Sequence, residues 1–441
     1  MKYFYTLPPV LIGVSMVLMQ SKVVVALSSQ EVERIGKEIT VRIVDSQNPN
    51  VAGSGVLMKH SGNTYVGVDV GVRLPDVVAA APKADDFFIK ANEKYRQKDY
   101  RGAIADYTQA IRLNPNYALA YNNRGKARYE LGDKQGAIAD FNFALKINPN
   151  YAEAYYNRGN VRHDLKDLQG AIADYNSALK INPSYANAYY NRGVVRTELK
   201  DLQGAIADYT SALKINPNYA DAYYNRGVIR AELGDKQGEI ADYTSALKIN
   251  PNFAQAYFNR GVVRAQLGDL KGAIADFNSA LNINLNNDKF YYNRGVARYR
   301  LGDPKGAIAD YNSAIKINPN FAQAYNNRGA ARYDLGDPKG AIADYNSAIK
   351  INPNFAQVYY NRGAARYDLG DPKGAIADYN SAIKINPNFA QVYYNRGLAR
   401  IVTGDKQGGI ADLQKTAQLF QQQGRTADYQ KALKLIQELQ Q

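Results

Sequence analysis

The chain predicts an all-helical solenoid, a row of stacked helical hairpins, with a small β-rich segment ahead of it. Three observations predict this. The stretch N-R-G-x-x-R begins at Asn123-Arg124-Gly125 and recurs with its glycine at Gly159, Gly193, Gly227, Gly261, Gly295, Gly329, Gly363 and Gly397, always 34 residues on. A fixed period of that size means one supersecondary unit repeated, each copy burying its apolar face on the next. Asn-Pro pairs such as Asn148-Pro149 close most units, and proline disfavours helical geometry in the residue before it.

Framed on Ala118 to Tyr151, ten 34-residue copies run from 84 to 423. In copy two, helix A is expected from Leu119 to about Leu131, with Asn116 as its N-cap. Gly132 fits the left-handed position that closes a helix. Asp133 N-caps helix B, which runs to about Ile147. In three copies a proline, Pro304, Pro338 or Pro372, follows the capping aspartate at the first helical position, where no amide donor is needed.

Deviations mark the ends and one irregularity. Copy one has Lys90-Ala91 in place of N-R-G. Glu239 replaces the small residue at place 20 of copy five, and Leu285 replaces the proline after copy six, so that the stack is expected to bend there. The last copy has Gly409, Leu413 and Thr416 where others have alanine, an aromatic and alanine. Residues 424–441 form an amphipathic capping helix whose Tyr429, Leu433 and Ile436 cover the last apolar edge.

Residues 1–28 combine Lys2, an apolar run and Ala26-Leu27-Ser28, the pattern of a secretory signal peptide cut near Ser28. An uncleaved membrane anchor or a buried segment are the alternatives. Residues 29–75 carry three short β-branched runs, with Gly62-Asn63 as a hairpin turn between the last two. Residues 76–83 read as a linker. The 441-residue chain has no cysteine and two histidines, His60 and His163, which excludes a disulfide framework, a thiolate metal site and a cysteine nucleophile. Neither a metal site nor a cofactor is expected. The net charge of +14 permits acidic partners or anionic polymers without selecting one.

Copy two places Tyr121, Gly125, Ala137, Phe141, Ala144 and Pro149 at places 4, 8, 20, 24, 27 and 32; copy three has Tyr155, Gly159, Ala171, Tyr175, Ala178 and Pro183 there. With this pattern the chain resembles the tetratricopeptide repeat family, in an N-R-G subtype. The resemblance implies a right-handed superhelix whose concave face, lined by places 2, 5, 6, 9, 12 and 13 of helix A, binds proteins or peptides. Mapped here, that face carries Tyr156, Asn157, Tyr190, Asn191, Tyr224, Asn225, Phe258, Asn259, Tyr292 and Asn293. The asparagine matches one element of the family's carboxylate clamp, but its flanking basic set does not recur. Residues 29–75 resemble the opening of trypsin-like serine protease domains, through Val32-Glu33-Arg34-Ile35, Ile39 to Ile43 and Gly53-Ser54-Gly55-Val56. The histidine of that family is absent from Val66 to Val72, and a triad needs all three roles together. The segment therefore reads as an inactive relic, and the chain as no enzyme.

Arginines at places 7 and 11, from Arg124 and Arg128 to Arg396 and Arg400, share a helix face, and helix B repeats an aspartate from Asp140 to Asp412. An internal Arg–Asp–Tyr ladder is the expected use, against an arginine track for phosphate. The functional expectation is an exported, periplasmic or extracellular, non-catalytic binding scaffold or assembly factor with a protein or peptide partner. An accessory or degenerate relative of a protease, and a binder of nucleic acid or anionic polymer, are the alternatives.

Overall fold

In the computed structural model the described residues are 83–440, together with the backbone of two short strands, Thr40–Val44 and Ala52–Val56. The strands pair antiparallel, Thr40 opposite Val56 and Val44 opposite Ala52. The expected signal peptide, the Gly62-Asn63 turn, His60 and most of the linker lie outside the described residues. The chain divides into two compact units, one ending at Leu131 and one spanning Gly132–Gln441.

Copy one and copies three to ten are each a helical hairpin. In copy three, helix A is Ala152–Asp164 and helix B is Leu168–Ile181. Within the larger unit each helix A packs on its own helix B and on helix B of the copy before, which makes that unit an all-α solenoid. The seam within a hairpin is built from a glycine and a ring. A Cβ on Gly159 would stand 2.7 Å from Tyr175 Cε1, so only glycine lets the helices approach with the tyrosine between them. Tyr175 is fully buried, and burial of such a ring stabilises by about 2–3 kcal/mol.

The turn chemistry matches the sequence in part. The Asp133 side chain accepts from Gly136 N at 2.8 Å, and Pro304, Pro338 and Pro372 open their helices. Gly132 has φ +83°. In copies one, three and four the same place is lysine, and Lys98, Lys166 and Lys200 all adopt φ 63°. Asn116 is not the N-cap of helix A. Helix A of copy two is Ala118–Glu130, and its N-cap Tyr117 makes no side-chain cap bond. The working asparagine is two residues earlier: Asn114 Oδ1 accepts from Asn116 N at 3.1 Å, and shapes the turn that delivers the chain to the helix.

Leu285 brings no break in the ring packing. The aromatic that usually ends a copy is Asn287 here, but Phe290 from the next helix takes its place, 4.8 Å from Phe258. Asn287 becomes a true cap, accepting from Lys289 N and Phe290 N. Glu239 is accommodated rather than expelled. It is 8 % exposed, burial pushes its carboxyl above the usual range, and a hydrogen bond with Tyr243 opposes that shift. At the C-terminus, helix Thr426–Gln440 buries Ala432 and Ile436, and Tyr429 packs on the cluster of Ala390, Leu419 and Phe420.

Candidate functional site

The repeated charges point inward. Arg158 grips Asp174 as a fork, Nε to Oδ2 at 2.9 Å and Nη2 to Oδ1 at 2.6 Å. Arg162 Nη1 adds a third bond to Asp174 Oδ2 at 2.9 Å and reaches Gly170 O at 3.2 Å. Asp174 is 2 % exposed, so the carboxylate exchanges water for three charge-assisted donors. Arg158 Cζ lies 5.4 Å from the Tyr155 ring, and Nη1 crosses to Asn142 Oδ1 of the preceding copy at 2.6 Å. The arrangement recurs through Arg396 and Asp412. These arginines hold hairpins together and tie neighbouring copies. With its donors committed in this way, the set does not present the phosphate track that was the alternative.

Of the ten residues expected on the concave face, the five rings and three of the asparagines reach across the seams between copies. Tyr156 packs between Tyr175 of its own copy, 6.1 Å between ring centroids, and Tyr185 at the junction, 4.8 Å. Tyr190, Tyr224, Phe258 and Tyr292 repeat this, with junction distances of 4.6, 4.7, 4.8 and 4.8 Å. Three of the asparagines serve the rings. Asn191 Nδ2 donates to the Tyr156 hydroxyl at 3.1 Å, Asn225 to Tyr190 at 3.0 Å and Asn259 to Tyr224 at 3.2 Å. Phe258 has no hydroxyl, and Asn293, which would face it, donates instead to Lys289 O at 2.8 Å. Asn157 occupies the same place in copy three and is half-buried. Burial pushes the Tyr190, Tyr224 and Tyr292 phenols up, so they are neutral hydrogen-bonding groups.

The open space lies further along the same face. A cavity of about 490 Å³ spans copies eight to ten, lined at places 5, 6, 9, 12 and 13 and floored by Tyr345 and Tyr379. None of the ten expected residues lines it, although Tyr360, Asn361 and Asn395 are their equivalents in later copies. Place 9 explains the room. It is Ala330 and Ala364 in copies eight and nine, with Leu398 closing the far end in copy ten, but Asn160, Val194, Val228, Val262 and Val296 in copies three to seven. Tyr333 and Tyr367 at place 12 and Asp334 and Asp368 at place 13 form the walls. The Tyr299 hydroxyl donates to Asp334 Oδ2 and the Tyr333 hydroxyl to Asp368 Oδ2. The sequence carried a signal for this site: alanine at place 9 with Tyr-Asp at places 12 and 13, in two successive copies. A smaller cavity of about 230 Å³ lies in the unit ending at Leu131, among Asn92, Tyr95, Tyr107 and Asn123. Among the described residues no group of three metal-ligating side chains could hold an ion, and no helix is long and apolar enough to cross a membrane.

Models of the TPR repeat match residues 91–132, 125–166, 159–199, 195–234, 263–302, 299–336, 331–370 and 365–401, and a tetratricopeptide repeat model matches 220–253. The chain belongs to the tetratricopeptide repeat family. Within the family it is similar to serine/threonine-protein phosphatase 5 of Homo sapiens, 42% identical over 53 residues, and of Rattus norvegicus, 40% identical over 53 residues. Each match covers 12% of this chain and 11% of the relative, so the chain spans about a tenth of the curated relatives it matches. Among solved structures, the crystal structure of MamA protein is 25% identical with a TM-score of 0.37, over 39% of this chain and 94% of that one. YrrB, described as a TPR protein with an unusual peptide-binding site, is 24% identical with a TM-score of 0.38, over 42% of this chain and 95% of that one.

Proposed function

We propose that this tetratricopeptide repeat chain is a non-catalytic scaffold that binds a protein or peptide segment on its helix-A face, at copies eight to ten. The observation that carries the reading is the cavity there. Its volume lies in the range of ligand sites, about 300–1,000 Å³, and its walls combine tyrosine rings with a few polar groups. Tyrosine supplies contact area at low conformational cost, and asparagine can pair with a peptide backbone. The seam residues Tyr156 to Asn293 support the surface by fixing the copies relative to one another.

The finer parts of the reading are proposals of the same kind. Residues 1–28 act as an export signal, so the partner is periplasmic or extracellular, and residues 29–75 are a protease relic without activity. An N-terminus of the exported protein near Ser28 would support the first, and casein hydrolysis above background would contradict the second.

Affinity capture with the full chain, beside an Ala330→Arg/Ala364→Arg variant of unchanged helicity, tests the central part. The two arginines fill the cavity. A defined set of proteins retained by the parent and lost by the variant is the expected result. Partners indifferent to the variant, or nucleic acid recovered in their place, would contradict it.

A further inference from the structure

We propose that the cavity of copies eight to ten takes a lysine or arginine side chain from the bound segment, with Asp334 and Asp368 as its counter-charges. This deepens the groove reading and rests on it.

The chain itself shows what a cation does at place 13. In copies four and five that place is Glu198 and Glu232, and each is met by a lysine from the copy before. Lys166 Nζ stands 3.1 Å from Glu198 Oε2, and Lys200 Nζ stands 3.4 Å from Glu232 Oε1. His163 Nε2 also reaches Glu198 Oε1, at 2.5 Å. Both lysines sit at place 15, in the left-handed backbone position. Asp164, at place 13 of copy three, is met instead from place 17, by Lys134 Nζ at 3.5 Å. In copies seven and eight, place 15 is Gly302 and Gly336 and place 17 is Pro304 and Pro338, so neither lysine that would face Asp334 and Asp368 is present. Among the described residues neither aspartate has an ion pair; each accepts a tyrosine hydroxyl on one oxygen only. With no internal cation in two successive copies, two carboxylates are left on the wall of one cavity.

The surroundings select a cation over other ligands. Across copies eight to ten the groove places 2, 5, 6, 9, 12 and 13 hold Asp334 and Asp368 and no basic side chain, in a protein of net charge +14. The arginines on helix A of copies eight and nine are committed elsewhere: Arg328, Arg332, Arg362 and Arg366 pair with Asp344 and Asp378 inside the hairpins. Tyr333, Tyr360 and Tyr367 line the same space, and a guanidinium or ammonium is attracted to an aromatic ring. An acidic peptide or a C-terminal carboxylate meets only like charge here. A neutral apolar side chain leaves both carboxylates unused.

The test uses the full chain and an array of end-blocked nonapeptides with randomised flanks and a fixed central arginine, lysine, leucine or glutamate, at about 0.15 M salt to screen long-range attraction. Two variants remove the charge in opposite ways. Asp334→Asn/Asp368→Asn deletes the carboxylates; Gly302→Lys/Gly336→Lys restores the internal lysine in a backbone position that lysine already occupies three times in this chain. A charge-matched control, Gln421→Lys/Gln437→Lys, adds the same charge outside the cavity. The expected result is retention of the arginine and lysine pools about tenfold above the leucine and glutamate pools. That preference is lost in both cavity variants and kept in the control. Equal retention of all pools, lost on Ala330→Arg/Ala364→Arg, would overturn the cationic assignment and leave the groove reading standing. A basic preference unchanged in both cavity variants would place recognition at another surface and overturn the assignment. No retention of any pool would overturn both.

Discussion

At the scale of residues, the structure turns on how buried polar groups are satisfied. Asp208 receives Arg192 through Nε and Nη2 at 2.9 and 2.5 Å and Arg196 through Nη1 at 2.9 Å. Asp208→Ala leaves two partly buried guanidinium groups without their carboxylate, and we expect a loss of about 2–3 kcal/mol, read as a lower melting temperature with the helical signal retained below it. Tyr190→Phe removes only the hydroxyl that Asn225 donates to. Copy six already carries that change as Phe258, whose neighbour Asn293 finds Lys289 O instead, so the cost is expected to be under about 1 kcal/mol in a chemical denaturation curve. Glu239 works against the fold. Its carboxyl is lifted by burial, so below the ordinary carboxylate range it is neutral folded or unfolded. As pH rises through that range the unfolded chain ionises freely and the folded chain resists, which weakens folding. Glu239→Ala, the residue most copies carry there, is therefore expected to raise the melting temperature, and by more at pH 7 than at pH 4.

At the scale of elements, the hairpins were legible because each boundary has a local cause: an aspartate cap, a left-handed glycine, a proline that stops helix B. The seam inside the hairpin adds a requirement of its own, since a Cβ on Gly193 would stand 2.8 Å from Tyr209 Cε1. Gly193→Ala is expected to cost about 1–3 kcal/mol through overpacking, measured by thermal melting. The Arg–Asp–Tyr ladder was legible too, because a periodic charge on an inward face must have a periodic partner. Other features were not. Asn116 and Asn114 are both plausible caps by type, and only the backbone path shows that Asn114 forms the turn. The ring missing at Asn287 is a local loss in sequence, whereas its replacement is Phe290, a residue of the next helix. The expected site stopped at copy seven. Place 5 aromatics look like a binding surface in sequence, but most of their area is used by the rings on either side, and the cavity depends on what is missing at place 9.

At the scale of the molecule, repetition builds the scaffold and departures from it carry the chemistry. Copies seven to nine share "GDPKGAIADYNSAIKINPNFAQ" unchanged, and that uniform frame holds a cavity where small residues at place 9 and carboxylates without an ion pair coincide. The end of the stack is held by helix Thr426–Gln440 over Leu419 and Phe420. Removing that helix is expected to expose this apolar edge and to lower the melting temperature of a chain ending at Gln423. The claim that matters most is that partners bind on the helix-A face at copies eight to ten. Photo-crosslinking tests it most directly, with a benzophenone side chain at the exposed Gln357, beside the cavity residue Asn361, or at the exposed Asn380 on helix B. The account predicts one set of adducts from Gln357 that Asn380 does not give. The same adducts from both positions, or from Asn380 alone, would contradict it.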